Sequence, residues 1–220
     1  MARPGILRSY LAGCTWRGVD GVGTVLGVGL GAPPDAEFKC FGEDPNDRVR
    51  GRKLDEALSV LSGLCRGEPF SHHGEYFNVD DVRFVPRVIQ TPSVPIWVAG
   101  FWPNRAPMRR AARWDGVFPL KSPPVPLVDL APGTAPWSAL WLRPDELGEA
   151  VDYVREHRTT NGPFEVIASG GTPLGEKGRA QDIVKSFEEV EATWWLEWLD
   201  EQRGTFAQMR EHIRQGPPKI

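Results

Sequence analysis

The sequence predicts an α/β fold in which parallel strands alternate with helices along 220 residues. Three observations carry that prediction. Short apolar runs ending in glycine recur along the chain, as in TVLGVGLG, PIWVAG and FEVIASGG. Between them lie segments with apolar residues at helical spacing. No internal repeat or low-complexity linker marks a boundary, so residues 1–220 read as a single domain with an atypical N-terminal segment, 1–23. Five parallel strands suit an open doubly wound sheet, whereas a closed (β/α) barrel needs eight.

The elements follow in order. The first strand lies in TVLGVGLGAPP, Thr24 to Pro34, and a polar stretch then runs to Arg52. Leu54, Ala57, Leu58, Leu61 and Cys65 repeat at helical spacing, and Gly67 and Pro69 stop that helix. GEYFNVDDVRFVP reads as a β-hairpin, with Asp80-Asp81 as its turn. Pro95–Gly100 is a buried strand, about Asn104–Trp114 a helix, and VFPL after Asp115-Gly116 another strand. A proline-dense loop, Ser122–Pro136, leads to a helix over Pro144–His157 with Leu147, Ala150, Val151 and Val154 on one face. FEVIASGG, a helix marked by Ile183, Val184, Phe187 and Val190, and the strand TWWLEWL follow. Thr205 caps a last helix through Phe206, Met209 and Ile213.

Composition excludes several functions. The net charge of −3 offers no basic surface for nucleic acid or an anionic membrane, and no apolar run is long enough to span a bilayer. Three cysteines without CxxC spacing read as free thiols of a cytoplasmic protein and not as a metal site. His72-His73 point to opposite faces of an extended segment, which is poor geometry for one metal, so both read as exposed surface. His157 and His212 read as helix surface, as do Arg109 and Arg110. No serine has a histidine at motif spacing, so there is no hydrolase case. Trp97 and the Trp194, Trp195, Trp198 group read as core or outer-helix packing, and Trp102 as a pocket wall.

The glycines of the first strand pose the nucleotide question. Gly27, Gly29 and Gly31 form GxGxG, not GxGxxG, and the reading of polar loop after Pro33-Pro34 leaves no helix N-terminus for a pyrophosphate. A nicotinamide-binding Rossmann-type fold is therefore the weaker alternative. Gly29 and Gly31 are better placed at the rim of a ligand pocket.

VLGVGLG, the long stretch FGEDPNDRVRGRKLDEALSVLSGLCRGEPFSHHGEYFNVDDVRFVPRVIQTPSVPIWVAG, RRAARWDGVFP and the closing ATWWLEWLD with GPP together resemble the bacterial luciferase-like monooxygenase family. The resemblance implies an incomplete TIM-type (β/α) barrel, holding strands four to eight with a β-hairpin insertion and lacking the first three βα units. It implies FMN or coenzyme F420 as cofactor and a flavin- or F420-dependent oxidoreductase or monooxygenase acting on a small organic substrate. A homodimer is compatible with it. The cofactor is expected at Ala99, Gly100, Phe101 and Asn104 after one strand, at Pro119, Leu120 and Lys121 after the next, and beside Gly29 and Gly31. In F420-using relatives the acid–base residues come largely from the missing strands and from an acid just past the fourth, where this sequence has Ala32. No catalytic residue is therefore assigned, and Asp35 and Glu37 read as solvated loop. The alternative function is that of a non-catalytic, truncated or degenerate paralogue.

Overall fold

The structure is a computed structural model and describes residues 23–90, 93–123, 137–200 and 202–218. The expected N-terminal segment and most of the proline-dense loop lie outside the described residues. The strands are β1 (Leu26–Val28), β2 (Phe70–His73), β3 (Asn78–Val82), β4 (Ile96–Trp102), β5 (Gly116–Lys121), β6 (Glu165–Gly170) and β7 (Trp194–Glu197). The helices are α1 (Pro34–Glu37), α2 (Asp47–Cys65), α3 (Arg105–Ala111), α4 (Pro144–His157), α5 (Lys177–Glu188) and α6 (Phe206–Gln215). Five strands are hydrogen-bonded in the order β1-β4-β5-β6-β7, and β2-β3 form a separate pair. The predicted α/β architecture with five alternating strands is what the chain adopts. It divides into two compact units, one through Ile96 and one from Trp97 onward.

In the first unit, the Leu26 N–H donates to the Pro95 carbonyl (2.9 Å), which ties β1 to the segment entering β4. β1 is shorter than the apolar run suggests, because Gly31 takes φ +76, where any Cβ would strike Glu37 and Phe38. Pro33 and Pro34 do start a helix, the four-residue α1, in place of the expected loop. The charged run that reads as loop to Arg52 is instead the beginning of α2. Asn46 caps it, its side chain accepting from Arg48 N–H (2.9 Å) and Val49 N–H (3.3 Å). Leu58, Val60, Leu61 and Leu64 of α2 are buried.

The hairpin is present in a different register. β2 pairs antiparallel with β3, with His72 opposite Val79 and His73 opposite Asn78, so the turn lies at Gly74–Phe77 and Asp80-Asp81 sit in β3. Glu56 of α2 fixes this turn. Its carboxylate accepts from Tyr76 N–H (3.1 and 3.0 Å) and Phe77 N–H (2.7 Å), and meets His72 Nε2 at 3.1 Å. His73 is exposed as expected, but His72 is half-buried through this contact.

In the second unit β4, β5, β6 and β7 run parallel, with Gly100 opposite Pro119, Val117 opposite Val166, and Ala168 opposite Trp195. Its core is built from Val98, Met108, Val117, Leu147, Val154, Val166 and Ile167, each 2% exposed or less. The α4 stripe Leu147, Ala150, Val151, Val154 is buried as its spacing predicts. Thr205 caps α6, accepting from Gln208 N–H at 3.3 Å. Trp195 packs on Phe187 of α5 (5.1 Å between rings), whereas Trp194 is 49% exposed and leans on half-buried Trp97, so the expected burial of Trp194 does not occur.

Candidate functional site

In the second unit two successive parallel strands end side by side. The ladder sets Gly100 opposite Pro119, Phe101 opposite Leu120 and Trp102 opposite Lys121. This register gathers Ala99, Gly100, Phe101, Pro119, Leu120 and Lys121 at one sheet end, and the chain turns at once into α3 through Asn104, whose N–H donates to the Phe101 carbonyl (3.0 Å). Asn104 is the N-cap residue of α3, yet its side chain makes no cap hydrogen bond. The Asn104 amide therefore has no partner among the described residues.

Each member has its own physical setting. A Cβ on Gly100 would lie 2.2 Å from Pro107 Cβ, so glycine is demanded there by the close approach of α3 to β4. Lys121 Nζ donates to Glu146 Oε1 at 2.7 Å. Burial works to raise the Glu146 carboxyl, but the Arg143 N–H and the Lys121 ammonium outweigh it and hold the group below the ordinary carboxylate range. Lys121 is 39% exposed, and Glu146 is its one partner among the described residues. An anion arriving at the strand ends can draw Lys121 away at the cost of one partly solvated contact.

Of the two α3 arginines read as helix surface, Arg109 is exposed as expected and Arg110 is buried. The Arg105 guanidinium carbon sits over the Trp102 and Tyr153 rings (4.4 and 4.3 Å from their centroids), and Arg109 donates to the Tyr153 hydroxyl at 3.0 Å. Arg110 is 6% exposed and so is not a solvated surface group. Trp102, also 6% exposed, is core rather than pocket wall, because Arg105 covers it.

Gly29 and Gly31 belong to the first unit. Gly29 lines a largely apolar cavity of about 390 Å³ together with Leu30, Phe38, Leu54, Ala57 and Phe77. Arg50 completes its wall. This 7% exposed side chain donates to the Leu30 and Gly31 carbonyls, pairs with Asp47 and stacks on Phe38 at 4.3 Å, leaving Nε without a partner. Gly27 and Gly29 thus border a cavity that Gly31 does not line, with an arginine that a loop reading of residues 43–52 conceals. The i, i+3 spacing of Asp47 and Arg50 behind the Asn46 cap is the sequence signal for it.

A second polar group lies at the end of β7. Glu197 Oε1 accepts from the Thr172 N–H (2.7 Å), the Thr172 hydroxyl (3.1 Å) and Arg203 Nη1 (2.7 Å), and Oε2 accepts from Trp195 Nε1 (2.7 Å). His212 of α6 turns inward to the same carboxylate (3.3 Å), its side chain only 13% exposed, and is not helix surface. His157, by contrast, is exposed and contacts its own helix backbone at Tyr153. Among the described residues no group of three or more His, Cys, Asp or Glu is arranged to hold a metal ion. None of their helices is long and apolar enough to cross a membrane.

The family model of luciferase-like monooxygenases matches residues 23–172. The chain belongs to this family. Relatives include uncharacterized proteins of Mycobacterium bovis and Mycobacterium tuberculosis, each 30% identical over 167 residues, covering 73% of this chain and 49% of the relative. An uncharacterized protein of Sinorhizobium fredii is 34% identical over 108 residues, covering 49% of this chain and 29% of its own length. The chain therefore spans about half the length, or less, of the curated family relatives it matches. In fold it is similar to the coenzyme F420 dependent tetrahydromethanopterin reductase of Methanopyrus kandleri (TM-score 0.55, 12% identity, 78% of this chain and 67% of that one). It is also similar to an F420-dependent secondary alcohol dehydrogenase (TM-score 0.53, 14% identity, 94% and 57%).

Proposed function

We propose that this chain supplies the phosphate-holding part of a flavin-type cofactor site, F420 or FMN, in a luciferase-like oxidoreductase or monooxygenase acting on a small organic substrate. The observation that carries the reading is the pairing of β4 and β5, which brings Ala99–Phe101 and Pro119–Lys121 to one sheet end beside Asn104. A bound cofactor of this class supplies hydride transfer or oxygen activation at its isoalloxazine or deazaflavin ring, chemistry that no side chain provides. The residues then have separable tasks. The Asn104 amide donates to a cofactor oxygen, Lys121 exchanges Glu146 for the phosphate, and the Gly100 peptide is held in place by Pro107. Gly29 and Gly31 are proposed as cofactor contacts within the first unit. Its setting is the cytoplasm, and a homodimer is compatible with it.

A second reading, a non-catalytic, degenerate paralogue, is favoured by one specific observation. Ala32 stands where the resemblance implies an acidic residue, and its neighbours Asp35 and Glu37 are exposed, Asp35 pairing only loosely with Lys39 at 3.7 Å.

Titration of the purified protein with FMN and with F420, followed by fluorescence, separates the two. The first reading expects saturable binding of at least one cofactor at micromolar concentration. Lys121→Gln should weaken it about tenfold while the thermal midpoint barely moves, since a partly exposed ion pair contributes about 0.5 kcal/mol or less. A folded protein that binds neither cofactor establishes the second reading.

A further inference from the structure

The Glu197 cluster has an outlet. In the second unit a cavity of about 300 Å³ opens between the start of α5 and the end of α6, lined by Pro173, Lys177, Gln181, His212, Gln215 and Pro218 among others. That volume is at the lower end of small-molecule pockets. His212 is the cavity residue that also touches the buried network behind it.

Two oxygens face one nitrogen of its ring. The Thr172 hydroxyl gives its single proton to Glu197 Oε1 (3.1 Å), so its oxygen is left to accept. His212 Nε2 lies 3.3 Å from both Thr172 Oγ1 and Glu197 Oε1, and the tautomer protonated at Nε2 lets it donate toward this oxygen pair. In that tautomer Nδ1 is the acceptor, and it has no hydrogen-bond partner among the described residues. Glu197 cannot swing away, because Thr172, Arg203 and Trp195 all donate to it. The result is an imidazole base oriented by a fixed carboxylate at the wall of a cavity, the arrangement general-base sites use. At the rim Lys177 has no ionic partner among the described residues. The Glu176 carboxylate beside it is drawn to Arg179 at 3.0 Å.

We propose that this cavity binds a small hydroxy-carboxylate: His212 Nδ1 accepts the ligand hydroxyl, Lys177 takes the carboxylate, and the Gln215 amide bonds a remaining polar group. Glu197 is the positioning residue, acting through His212. The inference goes beyond the flavin reading and uses none of its residues.

The test is nuclear magnetic resonance of histidine ring nitrogens in the full chain without flavin or F420, with glycerate as probe and glycerol and acetate as controls. The unliganded spectrum should show His212 protonated at Nε2 and bare at Nδ1. Glycerate should shift Nδ1 saturably, and glycerol and acetate should bind at least tenfold more weakly. His212→Asn should lower glycerate affinity tenfold or more and Lys177→Gln about fivefold, with unchanged near-ultraviolet dichroism. A ring protonated at Nδ1 in the wild-type chain overturns the proposal without recourse to any variant. So does glycerate that fails to saturate, binds no better than acetate, or binds His212→Asn equally well. Because no flavin is present, failure here leaves the cofactor titration undecided, and the reverse holds as well.

Discussion

Each compact unit contains a glutamate that holds a histidine, and the two pairs do different things. Glu56 meets His72 at 3.1 Å and Glu197 meets His212 at 3.3 Å. Glu56 spends its remaining acceptor capacity on the Tyr76 and Phe77 N–H groups, so it closes a turn. His72 stacks nearly parallel with Phe70, 12° between ring planes, against the β2-β3 hairpin. Glu197 is also saturated, but by side chains and one N–H drawn from separate segments, and the histidine it holds lines open space. Identical residue types at nearly the same separation thus yield a structural clamp in one place and an oriented base in the other. What distinguishes them is the far side of the histidine ring, not the pair.

Three substitutions probe that contrast. The largest effect is expected for Glu197→Ala. It takes the carboxylate from Arg203, 13% exposed, which keeps the Trp198 and Thr172 carbonyls, leaves Trp195 Nε1 and the Thr172 N–H without their acceptor, and should lower stability by about 3 kcal/mol in denaturant titration. A loss below about 1 kcal/mol would mean the network does not hold the end of β7. Next is Gly63→Ala, where the new Cβ would fall 2.1–2.5 Å from three atoms of the Phe70 ring. Overpacking at this buried helix position should cost about 2 kcal/mol and displace the hairpin that Glu56 clamps. An unchanged thermal midpoint would show that Phe70 moves aside freely.

The smallest effect, Glu56→Gln, depends on pH. Burial works to raise the Glu56 carboxyl, but the Phe77 and Tyr76 N–H groups and His72 outweigh it and set the folded value below the ordinary one. A depressed folded value adds stability that is fully present above the unfolded carboxylate range and lost as pH falls through the folded value. At neutral pH the substitution should therefore cost about 1 kcal/mol, with the difference vanishing in acid below the folded value. A pH-independent difference between the two proteins would show that the clamp does not rest on charge.

The sequence discloses more of the fold than of the sites. Apolar spacing places the buried faces of α2 and α4, because burial depends on period alone and Leu58, Leu61, Leu147 and Val154 report it directly. The hairpin register is misread at Asp80-Asp81, since the turn is set by Glu56, some twenty residues upstream in another element. Arg110 and His212 read as surface, and Arg50 as part of a polar stretch, because single charged residues carry no mark of the carbonyls, rings or carboxylates that the fold brings to them. The strand-end residues Ala99–Phe101 and Pro119–Lys121 are recognised through a family resemblance, and the ladder explains their proximity. Gly100 is a glycine for a reason that resemblance does not reveal, the Pro107 ring pressed against it.

That contact has a thermodynamic side. Because α3 rests on β4 with no room for a methyl group, the peptide planes from Gly100 to Asn104 are ordered before anything docks on them. Whatever anion settles at this turn therefore meets donors whose conformational entropy was already lost when the chain folded. More of the interaction energy then appears as affinity.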